Sequence, residues 1–114
     1  MNKSKHLYVV SEADIAERLV MISAEIQIIR ELIKDNIIEP LLEEETFIEI
    51  CEHYTTLYRV EALLYNIIDE SYYDKKDYTY HLSEKQKTHL VVFLQSLYAT
   101  KEILQEQNIS LYLH

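Results

Sequence analysis

Apolar residues recur early in the chain at Ile15, Leu19, Ile22, Ile26, Ile29 and Ile33, spaced alternately by four and three. That alternation keeps one stripe on a helix and predicts helical structure over residues 12–35. Ser11 with Asp14 three positions on reads as a variant capping box at its start. Asp14 and Arg18 stand four apart on its solvent side. A second stripe, Phe47, Ile50, Tyr54, Leu57, Leu64 and Ile68, broadened by Val60 and Ile67, predicts a helix over 43–70. Glu61 falls where that stripe expects an apolar residue, which marks it as a candidate buried carboxylate. A third helix over 84–107 starts after Ser83, with Leu90, Phe93, Leu94, Leu97 and Leu104 as its seam. Residues 90–94 are apolar on every side, a pattern that buries more than one helix face. Three helices do not supply that many neighbours, so the pattern predicts a homodimer.

Three segments depart from the helical period. Residues 6–10 and 109–114 are β-branched, aromatic and partly alternating, and residues 77–82 alternate too. Strands this short are marginal alone. They either pair within the chain, pair across a dimer axis, or lie as apolar tails over the helix ends. The expected fold is therefore all-α: an antiparallel bundle of three main helices in one domain, a connector over 71–82, and short extended ends.

Composition changes the picture mainly by subtraction. The 114 residues include no glycine and one proline, Pro40. Glycine gives loops their positive-φ backbone and close approach to phosphate, so phosphate-binding loops, dinucleotide fingerprints and nucleophile elbows are excluded together. The net charge of −9, from 20 acids against 11 bases, disfavours direct binding to nucleic acid. The single cysteine, Cys51, forbids an internal disulfide and suits a reducing compartment. The N-terminal apolar run is too short for a signal-peptide core, and no stretch is long enough for a membrane span. The expected location is cytoplasmic, with no membrane association.

Candidate chemistry is sparse. Glu61 is either a carboxylate perturbed by burial or an edge residue that meets Arg30, Lys34 or a tyrosine hydroxyl. Glu49 and His53 stand four apart on one helix face, but di-metal bundles need Glu-x-x-His pairs, and none occurs here. His6, His81, His89 and His114 are scattered. The arginine-then-histidine spacing of HEPN-type ribonucleases is missing after Arg18, Arg30 and Arg59. Cys51 lacks a facing base and reads as a small core residue. Neither an enzyme nor a cofactor is expected, and a small carboxylate/histidine metal protein or enzyme is the outlying alternative.

Two surface features carry more weight. Between Lys34 and Arg59 the chain has no lysine or arginine but seven acids: Asp35, Glu39, Glu43, Glu44, Glu45, Glu49 and Glu52. A field of one sign steers toward a basic surface, although helix N-termini attract acids regardless of function. Residues 69–81 hold four tyrosines, Tyr72, Tyr73, Tyr78 and Tyr80. They serve either as a lid on the core or as interface anchors, with Tyr73 and Tyr78 expected inward and Tyr72 and Tyr80 outward. Base stacking would need more cations than Lys75 and Lys76 provide. The expectation is a non-enzymatic protein-interaction module, specifically a small acidic viral or mobile-element inhibitor. It would occupy a basic nucleic-acid-binding surface of a host defence protein, as a nucleic-acid mimic. A structural or assembly subunit of a larger complex is the alternative.

Overall fold

A computed structural model of the chain describes residues 8–106. In chain order the elements are β1 (Val9–Ser11), α1 (Glu12–Ile38), α2 (Glu44–Glu70), β2 (Tyr72–Asp74), β3 (Thr79–His81) and α3 (Glu84–Glu106). Helices dominate, as the stripes predict, and short paired strands accompany them. β1, β3 and β2 form an antiparallel three-stranded sheet in that order. The expected connector over 71–82 is the β2–β3 hairpin, and β1 pairs with β3 within the chain. The 109–114 segment, His6, His114 and the Leu104 side chain lie outside the described residues.

The hairpin turns without glycine. Asp74 Oδ1 accepts from the Lys76 N–H at 2.9 Å, a side-chain mimic of a backbone turn. Tyr78 takes φ 55°, the left-handed region glycine usually occupies. The geometry is held from outside the hairpin. The Glu12 N–H donates to the Tyr78 carbonyl at 2.8 Å, and the Leu82 N–H donates to the Tyr8 carbonyl at 3.0 Å. The first bond satisfies one of the amides a helix N-terminus leaves open. Ser11 Oγ satisfies another, from Asp14 at 3.0 Å. The sheet thus ties the start of α1 to the segment linking α2 with α3.

α2 is the central helix and packs against both α1 and α3. Its buried line is Thr46, Ile50, His53, Leu57, Val60, Leu64 and Ile67, alternating by four and three without a break. The expected line through Phe47, Tyr54 and Ile68 sits one position off that register, which is why Glu61 looked like an intruder. Glu61 is half-buried and makes no hydrogen bond or ion pair among the described residues. The α1 seam packs as expected, with Ile15, Ile22, Ile26 and Ile29 buried. The Asp14–Arg18 pair does not form.

The turn from α1 into α2 is organised by Asn36. Its Oδ1 accepts from both Leu41 and Leu42 N–H groups at 3.0 Å. At the start of α3, Ser83 and Gln86 cap reciprocally: Gln86 N–H to Ser83 Oγ at 3.1 Å, and Ser83 N–H to Gln86 Oε1 at 3.0 Å. Leu90 and Leu97 are buried there and Phe93 and Leu94 are half-buried, while Val91 and Val92 face solvent. Among the described residues, therefore, residues 90–94 are not covered on more than one face. The molecule measures 56 × 23 × 21 Å.

Candidate functional site

The most unusual chemistry lies inside, between α1 and α2. His53 and Glu25 are 1% and 7% exposed, and Nε2 of His53 donates to Glu25 Oε1 at 2.8 Å. Burying two such polar groups costs desolvation, which the hydrogen bond between them offsets. Nδ1 of His53 is buried and has no hydrogen-bond partner among the described residues. The pair forms one wall of a cleft of about 90 Å³ bounded by all three helices. Apolar side chains make most of the remaining wall, which also includes the exposed Arg18 and the half-buried Lys101.

This arrangement replaces the Glu49–His53 pairing considered from sequence. His53 turns into the core toward Glu25, while Glu49 is half-buried. Among the described residues no three His, Cys, Asp or Glu side chains converge as metal ligands would. The α1 stripe through Ile22, Ile26 and Ile29 passes Glu25 by. A line through Ile22, Glu25 and Ile29, spaced three then four, is equally helical and places Glu25 on the buried face. His53 carried the matching signal in α2, three after Ile50 and four before Leu57. Cys51 is half-buried, and burial pushes its thiol up, which disfavours the reactive thiolate.

The acidic residues gather at the α1–α2 end. Glu39, Glu43, Glu44, Glu45 and Glu52 are exposed, and three strongly exposed aliphatic residues stand beside the first four in sequence. These are Ile37, Ile38 and Leu41, at 69%, 74% and 79% exposed. A shallow pocket between Leu32, Asp35, Asn36 and Leu42 opens beside them.

The tyrosines lie at the other end of α2, whose 27 residues span about 40 Å at 1.5 Å each. The expected inward and outward assignment is half wrong. Tyr80 is 8% exposed and packs inward, and Tyr78 is 62% exposed and faces out. Strand alternation explains it. The register aligns Val10, Tyr80 and Tyr73 in one row across the sheet and Val9, His81 and Tyr72 in the next. The first row faces the core, with the Tyr73 and Tyr80 rings 5.0 Å apart. Tyr72 is exposed and meets His81 edge-on at 5.2 Å. Burial, followed by the nearby Glu12 carboxylate, pushes the Tyr73 hydroxyl above the usual tyrosine range.

A third cluster was not foreseen. Arg30 donates to Tyr54 at 3.3 Å, to Tyr58, and to Gln27 at 2.9 Å, and the two tyrosine rings meet edge-on at 5.0 Å. The Tyr58 hydrogen bond, then that of Arg30, draws the Tyr54 hydroxyl below the usual tyrosine range. The same hydroxyls, Tyr54 first, raise Arg30. Arg30 is thus held by tyrosines rather than by Glu61. No protein-family model, curated protein or solved structure matches this chain.

Proposed function

We propose that the chain is a non-enzymatic protein-interaction module, an antiparallel three-helix bundle whose acidic α1–α2 end docks on a basic surface of a protein partner. One observation carries this reading. The exposed aliphatic trio Ile37, Ile38 and Leu41 is interleaved in sequence with the exposed Glu39 and followed by the exposed Glu43, Glu44 and Glu45, with no lysine or arginine between residues 34 and 59. Carboxylates steer the encounter and set its orientation, while the aliphatic trio supplies area to desolvate. A partner that also engaged Tyr72 and Tyr78 would have to span the length of α2. The basic groove of a nucleic-acid-handling protein is a surface of that reach, which agrees with an inhibitor of viral or mobile-element origin acting in the cytoplasm.

Affinity capture with the native chain and with Glu43→Lys, Glu44→Lys, Glu45→Lys tests the docking end. The expected result is a basic partner captured by the native chain, released by salt and lost by the variant. Capture of the same partner by both would remove the electrostatic half of the reading. A second reading, a structural subunit that self-associates, rests on the exposed Val20 and Met21 of α1 and Val91 and Val92 of α3. Sedimentation decides it, since an apolar homodimer interface barely responds to salt.

A further inference from the structure

The cleft between α1 and α3 plays no part in the proposed docking, and its chemistry is specific enough to name an occupant. Its walls are Met21 and Ile22 from α1, Val60 from α2, and Leu94, Leu97 and Tyr98 from α3. Ligand sites are typically apolar with a few placed polar groups, and here the polar groups differ in kind. The one carboxylate, Glu25, is buried and already bonded to His53. Of the two cations, Arg18 is exposed, and Lys101 is half-buried with its ammonium over the Tyr98 ring at 5.8 Å. Arg18 makes no hydrogen bond or ion pair among the described residues, although acids outnumber bases 20 to 11 in the chain.

We propose that this cleft binds a small apolar monocarboxylate, its hydrocarbon body between α1 and α3 and its carboxylate on Arg18 and Lys101. A cationic ligand would meet two like charges at the entrance. A phosphate or sugar would place polar groups against Leu94, Leu97 and Met21 without partners, which is costly. A neutral hydrocarbon would leave the guanidinium unused, whereas a carboxylate suits its planar donor fork. Size limits the body. A cavity of about 150 Å³ holds a benzene ring, so about 90 Å³ suits a chain of four or five carbons. The His53–Glu25 pair fixes the separation of α1 from α2 at the cleft floor and serves as a positioning element beneath the ligand.

Pentanoate is the probe, with 1-pentanol and pentylamine as neutral and cationic controls, titrated into the full chain while the His53 imidazole resonances are followed. Saturable shifts are expected with pentanoate, weaker ones with pentanol and none with pentylamine. Arg18→Glu removes the entrance charge at an exposed position and is expected to weaken pentanoate about tenfold, the effect of one charge-assisted contact. Met21→Trp, also at an exposed position, fills the cleft and abolishes the response without touching either cation. Circular dichroism and melting temperature establish that both variants fold. Equal responses to pentanol and pentanoate would overturn the proposal. So would undiminished binding by Arg18→Glu, or the absence of saturable His53 shifts.

Discussion

His53 and Glu25 show how much one buried contact depends on both partners. Removing either leaves the other buried without its bond, so Glu25→Leu and His53→Leu should each destabilise the fold by about 3–5 kcal/mol. The double leucine variant should be far less damaging than the sum, because apolar replacements of a buried pair are often neutral. Urea denaturation of the three variants measures this directly, and additive losses would mean that the two side chains are not coupled. The tyrosines offer a second residue-scale test. Tyr54 has a lowered folded value, so its contribution to stability is present above the ordinary tyrosine range and lost as pH falls through the folded value. Tyr73 has a raised value, so its contribution is present below that range and lost as pH rises through the folded value. Native-state ultraviolet titration should therefore broaden to both sides of ordinary tyrosine. Arg30→Gln should remove part of the early side alone.

Among the elements, the sheet depends most on neighbours. Each strand has three residues, too few to persist alone. It is anchored by Tyr80 packing into the helical core and by the Tyr78 carbonyl on the first amide of α1. Tyr78 holds a left-handed backbone at a cost of about 1–2 kcal/mol for a residue with a Cβ. Tyr78→Gly removes that strain but adds freedom to the unfolded chain, so a net gain of up to about 1 kcal/mol is expected in chemical denaturation. A loss would show that the exposed ring packs on something within the chain. Ser11→Ala, in contrast, should cost about 1 kcal/mol by removing the Asp14 cap. Because α1 begins where β1 ends, hydrogen exchange of β3 amides should rise in the same variant.

At the scale of the whole molecule, acidic and aromatic surfaces occupy opposite ends of a body 56 Å long. The two surfaces can be altered independently, being well beyond the distance at which neighbouring mutations couple. Charge reversal at Glu43 to Glu45 should change the rate and salt dependence of partner association. Tyr72→Ala with Tyr78→Ala should change dissociation if that end is engaged too. Surface plasmon resonance at two salt concentrations separates the two effects. A partner indifferent to the tyrosine variant would confine docking to the α1–α2 end.

The stripes of α1 and α3 and the Ser11 cap were legible in the sequence because a helix's period and its first turn are local properties. The surplus of acids near residues 39–52 was equally legible, being a matter of composition. Tertiary structure decided the rest. Which of two adjacent lines of α2 faces inward depended on what α1 and α3 bring to meet it, so His53 and Leu57 entered the core and Glu61 stayed at its edge. Glu25 was hidden by the same ambiguity. The direction each tyrosine faces followed from a strand register that no periodicity in residues 71–82 could set. It was fixed only when β1, more than 60 residues earlier in the chain, paired with β3. Short-range chemistry chose the helices, and long-range pairing chose which of their faces, and which tyrosines, meet solvent.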